Sequence, residues 1–226
     1  MILIADLCSN IAPFDRKVVA WAAERAVASG ATHVKVQVFT PSHFPRQERD
    51  AKRAVTFPRH LLGMLVDVVE NAGGWVGASV FDEHAVDACL DAGVDFLKLA
   101  TREAFNTTLV DLCADTGLPT FTSIPLGLKV QPWRDRRPNE TFLGCIPQYP
   151  VVDWPAYDPF AHFRPQPSWG WSSHTPHYQD VLMAVAAGAT VIEKHLMFTP
   201  TDPEAAWSLS CEDFRRMVDA IEKPST

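Results

Sequence analysis

The sequence predicts a (β/α)8 barrel of the TIM type. Three observations carry that expectation: eight short apolar runs of strand character, longer stretches of helical period between most of them, and a length of 226 residues. Strands alternating with helices imply a parallel sheet covered by helices, and eight such strands in a chain of this size favour closure into a barrel. An open α/β sheet covered on both faces stays as the alternative, because a strand count alone does not show closure. The chain shows no linker or composition break, so residues 1–226 are expected to form one domain.

The elements follow in order. Ile2 to Asp6 reads as the first strand, and Pro13 to Ser29 as an amphipathic helix, with Val18, Val19, Ala22, Ala26 and Val27 at helical spacing and Gly30 as its stop. His33 to Phe39 is the second strand. A polar, basic loop is expected from Pro41 to Val55, then a helix from Pro58 to Asn71 ended by Gly73 and Gly74. Trp75 to Val80, Asp95 to Ala100 and Thr120 to Ser123 read as strands three to five. Helices from Glu83 to Asp91 and from Phe105 to Thr116 separate them. Pro125 to Asn139 is rich in proline and charge and has no helical stripe, so the helix after strand five is expected to be missing. Thr141 to Ile146 resumes as strand six, and a proline- and aromatic-rich segment, Tyr149 to Pro167, leads to strand seven at Trp169 to Ser173. Tyr178 to Ala187 is a helix and Thr190 to His195 the eighth strand. Glu212 to Glu222 closes the chain as a helix capped by Ser210.

Composition narrows the function. Hydrophobic residues make up 47% and charged residues 21% of the chain, which is globular and far from disordered. No run of eighteen apolar residues occurs, and the N-terminus has neither a basic region nor a cleavage site, so a cytoplasmic protein is expected. Twenty Lys+Arg against 27 Asp+Glu give a net charge of −7. That balance argues against nucleic acid or an anionic membrane as partner, and an anionic substrate would need a local cluster of cations. The five cysteines, Cys8, Cys89, Cys113, Cys145 and Cys211, are an odd number without a C-x-x-C pair, which indicates neither a disulfide frame nor a zinc knuckle.

Barrel enzymes work at the C-terminal ends of their strands. Those ends here carry Asp6; Lys35 and Gln37; Lys98, Thr101 and Glu103; Thr122 and Ser123; Ser172 and His174; Glu193 and His195. Lys35 and Lys98 each interrupt an apolar run where an ammonium without a partner would be costly. A bound anion would supply that partner, and an internal ion pair with Asp6, Glu103 or Glu193 would do so equally. His174 and His195 end neighbouring strands, which lie only ~5 Å apart, so their imidazoles can approach one cation. Manganese suits such an oxygen- and nitrogen-rich set, with magnesium or cobalt as substitutes. The remaining histidines, His33, His43, His60, His84, His162 and His177, read as solvated or packing residues. The basic runs around Arg46, Arg49, Lys52 and Arg53 and around Arg134, Arg136 and Arg137 read as solvated faces. Trp133, Trp154, Trp169, Trp171 and Trp207 read as packing.

Several strings in the chain then become specific in combination: GWSSHT, AVAAGATVIEKHLMF and SLSCEDFRRMVDAIE, with ATHVKVQVF, DAGVDFLKLATRE and LGCIPQYP upstream. Together they resemble the sialic acid synthase (N-acetylneuraminate synthase) family. That resemblance implies a metal-assisted aldol-type condensation of phosphoenolpyruvate with an aldehyde or amino sugar, releasing phosphate. It implies a divalent ion on His174 and His195 acting as a Lewis acid. Lys35, Gln37, Lys98, Thr101, Ser123 and Ser172 would line the phosphoenolpyruvate site. Glu103 would handle protons, Asp6 would stand in for a glutamate that contacts the sugar, and Glu193 would complete the catalytic carboxylates. A homodimer follows from the family's habit of pairing subunits face to face.

The chain also departs from the family's pattern. Only Ser9 and Asn10 remain of S-N-x-N-G, Ser173 replaces an aspartate and Pro147 an asparagine, and Glu204-Ala205 replace an aspartate-histidine pair. The sequence ends without the antifreeze-like C-terminal domain of these enzymes. A divergent acceptor is the expectation. A barrel lyase or isomerase acting on a small phosphorylated or keto-acid substrate, or a non-catalytic partner subunit, are the other readings.

Overall fold

The structure is a computed structural model that describes residues 1–126, 135–161, 163 and 168–223. Eight strands are laid side by side in chain order: β1 (Ile2–Asp6), β2 (His33–Val38), β3 (Trp75–Val80), β4 (Phe96–Leu99), β5 (Thr120–Pro125), β6 (Glu140–Cys145), β7 (Gly170–Ser173) and β8 (Val191–Met197). All neighbours are parallel, and β1 pairs with both β2 and β8, so the sheet closes into a barrel. The expected (β/α)8 architecture is present, and the open-sheet alternative is excluded by the β1 to β8 ladder. A two-residue strand, β9 (Leu209–Ser210), adds onto the end of β8.

The helices are α1 (Arg16–Ala28), α2 (Arg49–Val55), α3 (Leu62–Asn71), α4 (Glu83–Ala92), α5 (Thr107–Asp115), α6 (Gln179–Ala186) and α7 (Cys211–Glu222). Their starts are set by local chemistry. Asp15 accepts from the N–H groups of Lys17 and Val18, Asp82 from that of Ala85, Asn106 from that of Leu109, and Ser210 from that of Asp213. Gly93 ends α4 at φ 76°, a backbone that suits glycine. The expected loop at 41–55 is corrected: its second half is α2. That helix buries none of its residues, so it has no apolar stripe to betray it.

Among the described residues no helix lies between β5 and β6 or between β6 and β7. Much of the segment expected to lack a helix after strand five, residues 127–134, lies outside the described residues, as do Trp133, Arg134 and His162. Aromatic side chains cover the outside of β6 and β7 instead. Phe160 packs edge-on to Trp171 at 5.0 Å, and Phe163 stacks on Trp169 at 5.4 Å. Gly144 on β6 makes room for them, since a Cβ there would meet the Phe163 ring at 2.8 Å. Trp154, Trp169 and Trp171 are packing residues, as expected.

Alternation along each strand sorts the side chains into two regions. The large core lies between the sheet and the helices. Inside the barrel, Ile4, Phe96, Phe121, Leu143 and Val191 form a separate apolar plug. Two residues further along the same faces come Asp6, Lys98, Ser123, Cys145 and Glu193, all buried. The period that places a phenylalanine in the plug therefore places a charge or a sulfur one layer above it. Among the described residues no helix is long and apolar enough to cross a membrane.

Candidate active site

The polar layer opens into a cavity of about 600 Å³ at the C-terminal ends of the strands. Asp6, Lys35, Gln37, Lys98, Thr101, Ser123, Ser172, His174, Glu193 and His195 all line it, so ten of the eleven expected site residues converge. Glu103 is not among the lining residues. Its buried carboxylate accepts from Arg102 Nε at 3.1 Å and Asn106 Nδ2 at 3.0 Å. Arg102 itself does line the cavity. Thr122 faces the opposite side of β5 and donates to Glu140.

Strand register explains the central contacts. Asp6 lies level with Lys35 on one side and His195 on the other, and Ser79 is level with Lys98. Lys35 Nζ donates to Asp6 Oδ2 at 2.5 Å and to Ser79 Oγ at 2.7 Å. Lys98 Nζ donates to Ser123 Oγ at 2.8 Å and stands 3.4 Å from Glu193 Oε2. Ser172 Oγ donates to the other Glu193 oxygen at 3.1 Å. Of the two partners the sequence allows these lysines, internal carboxylates are present. The ammonium groups still face an open cavity, which leaves room for an anion beside them.

The electrostatics follow from burying charges together. Burial pushes the Lys98 ammonium down, and the Glu193 carboxylate only partly offsets this. For Lys35 burial acts the same way, but the carboxylates of Asp6 and Glu193 outweigh it and hold the amine above its ordinary value. Burial raises the Glu193 carboxyl, yet Lys98, Lys35 and the two histidines overcome that and bring it to about 2. Glu193 is thus ionised at neutral pH, and its Oε2 accepts no hydrogen bond among the described residues. A buried carboxylate oxygen without a donor beside a cavity is an acceptor open to a hydroxyl or water of the substrate complex.

His174 and His195 meet with ring centroids 5.3 Å apart. His174 Nδ1 lies 3.2 Å from the Ile146 carbonyl, which makes that nitrogen the N–H donor and leaves Nε2 as the basic atom. Burial, then the neighbouring His195, lowers the His174 pKa to about 3, so the ring stays neutral. A neutral imidazole with its second nitrogen fixed by a carbonyl is the form that ligates metals. His195 Nε2 is 3.8 Å from Asp6 Oδ2 and its Nδ1 is 2.8 Å from Glu204 Oε2. These donors fit a divalent ion held by two imidazoles with carboxylate or water oxygens.

Sequence reasoning missed other lining residues. Trp207, read as packing, lines the cavity and stands edge-on to Tyr149 at 5.6 Å, and Tyr149 covers His174 at 4.2 Å. Lys52, read as part of a solvated face, also reaches the cavity. Its ammonium sits 4.8 Å from the Phe44 ring, which Arg102 approaches at 4.6 Å. Glu204 and Ser79 also line it. Lys52 carried a sequence signal in its basic run, Tyr149 in the LGCIPQYP string and Glu204 in replacing the aspartate of an aspartate-histidine pair. Lys194, between Glu193 and His195, points out of the barrel to Ser173 Oγ at 3.0 Å.

Known proteins resemble this chain at both levels. The NeuB family model matches residues 133–226. Pseudaminic acid synthase of Campylobacter jejuni is 23% identical over 250 residues, covering 98% of this chain and 73% of that protein. Human N-acetylneuraminate-9-phosphate synthase is 26% identical over 171 residues, which cover 71% of this chain and 48% of that enzyme. Among solved structures, the N-acetylneuraminic acid (sialic acid) synthetase of Leptospira borgpetersenii superposes with a TM-score of 0.84 at 20% identity, over 98% of this chain and 82% of that one. A truncated 3-deoxy-D-arabino-heptulosonate 7-phosphate synthase from Thermotoga maritima reaches 0.72 at 15% identity, over 99% and 86%. Residues 133–226 thus match the NeuB family model, and the likeness to sialic acid synthases that the motifs predict is borne out.

Proposed function

We propose that this protein joins phosphoenolpyruvate to the aldehyde carbon of an amino-sugar-like acceptor and releases inorganic phosphate, in the cytoplasm and as a homodimer. The observation that carries the reading is the convergence of two buried ammonium groups, three serine hydroxyls and two imidazoles around one cavity. Phosphoenolpyruvate presents a phosphate and a carboxylate, and Lys35, Lys98, Ser79, Ser123 and Ser172 offer the matching charges and donors.

Asp6 and Glu193 keep the lysines protonated while the site is empty of anion, which removes the cost of two bare buried cations. Gln37 and Thr101 orient the anion, and Lys52 and Arg102 add positive charge at the rim. The new bond joins the methylene carbon of phosphoenolpyruvate to the aldehyde carbon, so the aldehyde oxygen takes up one proton. Water then adds to the carbon that bears the phosphate and gives up one proton; as the carbon–oxygen bond to phosphate breaks, that carbon becomes the keto carbon and the second water proton leaves with the phosphate. Glu193, ionised and short of a donor at Oε2, receives the first water proton, and Asp6 faces the acceptor side. Glu103 acts through Arg102 as a positioning residue. A divalent ion, manganese by donor type, would be held by His174 and His195 and would polarise the acceptor carbonyl as a Lewis acid.

The test is phosphate release from phosphoenolpyruvate with manganese across a panel of aldoses and N-acetylated amino sugars. Release that requires both the aldehyde and Lys98 is expected. No release with any aldehyde, together with cleavage of a preformed keto acid, would replace the reading with a lyase.

A further inference from the structure

Cys8 follows the end of β1 at φ 35°, a left-handed backbone unusual for a residue with a side chain. Its buried Sγ lies 3.3 Å from His195 Nδ1, and Glu204 Oε2 lies 2.8 Å from the same nitrogen. One ligand atom from each of the three residues falls within 4.8 Å of the other two. The carboxylate is itself held in place: Ser9 Oγ donates to Oε1 at 2.8 Å and Trp207 Nε1 to Oε2 at 3.2 Å. Asn10 Oδ1 also accepts from the Glu204 N–H at 2.8 Å, which ties the β8 loop to the segment after β1.

A thiol, an imidazole nitrogen and a carboxylate from three separated parts of the chain thus meet at one point. We propose that Cys8, His195 Nδ1 and Glu204 bind a borderline-to-soft divalent cation, of the zinc or cobalt class, on the opposite side of the His195 ring from the nitrogen that faces Asp6. Sulfur, nitrogen and oxygen donors together favour zinc or cobalt over manganese or magnesium. Three protein ligands leave further positions for water or substrate, and both His195 and Glu204 line the cavity. The site rests on the reading of this cavity as a metal-assisted centre and adds to it a second donor set, of softer class, on the far nitrogen of His195. Binding exchanges the thiol proton for the ion, and that proton goes to solvent.

The test uses the full metal-stripped chain and cobalt(II) or zinc(II) alone, without substrate. Cobalt is expected to give a thiolate-to-cobalt charge-transfer band in the near ultraviolet. Cys8→Ser should abolish it and weaken zinc binding by ~100-fold or more, beyond the 10- to 100-fold typical of losing an outer partner. Cys145→Ser should keep the band, because that thiol lies near His174 instead, 3.6 Å from its Nδ1. Cys8→Gly, which tolerates the backbone at this position, shows by its retained fold that loss of the band reports loss of the ligand. Cobalt binding without a charge-transfer band, or a band that survives Cys8→Ser, overturns the proposal. The condensation reading is judged separately by phosphate release, so a chain with the band and no turnover keeps this site and loses that activity.

Discussion

Lys98 Nζ stands 3.4 Å from Glu193 Oε2, and both groups are buried in the barrel beneath the cavity. The pair holds two opposite charges that neither partner could carry alone there. A buried carboxylate whose cation is removed costs about 3–5 kcal/mol, whereas replacing both partners by neutral groups costs far less. Lys98→Met should therefore destabilise the protein by about that amount, and adding Glu193→Gln should recover most of the loss. Urea unfolding of both singles and the double variant measures the coupling. Additive losses would mean the two charges do not depend on each other.

Glu193→Gln alone separates binding from chemistry. The amide keeps the size and a donor or acceptor for Ser172, but it cannot take a proton from water. Turnover is expected to fall by ~100-fold or more, while phosphoenolpyruvate affinity is kept or improved because one negative charge leaves the anion site. Calorimetric titration with phosphoenolpyruvate and a phosphate-release assay report the two effects. Unchanged turnover would move the proton-accepting role to another group.

His174 makes a distinct prediction about the ion. Its Nδ1 is engaged by the Ile146 carbonyl, so Nε2 is the atom free to coordinate. His174→Ala should weaken manganese binding by ~100-fold or more, exceeding the usual effect of losing an outer partner. The electron paramagnetic resonance signal of free manganese follows this directly. Full manganese occupancy in the variant would remove His174 from the ligand set.

The barrel was legible in the chain because its physics is local. Each strand is a short apolar run, and Lys35 and Lys98 stand out against it because a core strand has no ordinary use for an ammonium. What pairs with them was not legible. Asp6 sits level with Lys35 only through the β1 to β2 register, and Glu193 reaches Lys98 across the barrel interior. The meeting of Glu204 and Cys8 was invisible for the same reason, since the β8 loop brings them together across 196 residues of sequence. Helix α2 escaped detection because Arg49–Val55 buries nothing. Glu103 shows the converse: the chain places it beside the site, but its side chain turns to Arg102 and Asn106, contacts that sequence spacing does not reveal.

Gly170 tests how tightly the barrel is closed. It begins β7, and a Cβ placed there would meet the Val191 carbonyl oxygen at 2.4 Å and a Leu143 methyl at 2.5 Å. The first of these is backbone and cannot rotate away. Gly170→Ala should cost at least the ~1–3 kcal/mol of ordinary overpacking, and it should disturb Ser172 and Glu193 above it. Gly73→Ala serves as the contrast, because a Cβ there meets nothing within 4 Å although its φ of 86° still imposes strain. Thermal unfolding ranks the two, and a Gly170 variant as stable as the wild type would mean β7 and β8 can separate without penalty.

His33 gives the stability its acid limb. It opens β2 at the closed end of the barrel, with its ring 6.3 Å from Trp75 and 5.3 Å from Phe96 and its Nδ1 2.9 Å from Thr32 Oγ1. Burial lowers its pKa to about 4, and the opposing pull of Asp95 is too weak to restore it. In the unfolded chain the ring titrates near 6.5, so between about pH 6.5 and 4 the unfolded state binds more protons than the folded state. Stability from this group is complete above that window and declines as the pH falls through it. The slope cannot exceed about 1.4 kcal/mol per pH unit and is smaller here because solvent reaches part of the ring. His33→Gln should flatten the dependence relative to wild type, as read from urea midpoints at pH 7, 6, 5 and 4.5, roughly spanning that window. His174, also depressed, titrates identically in both proteins, so the difference between the curves belongs to His33. Superimposable curves would show that the folded ring accepts its proton as readily as the unfolded one, and that its packing between Trp75 and Phe96 does not hold it neutral.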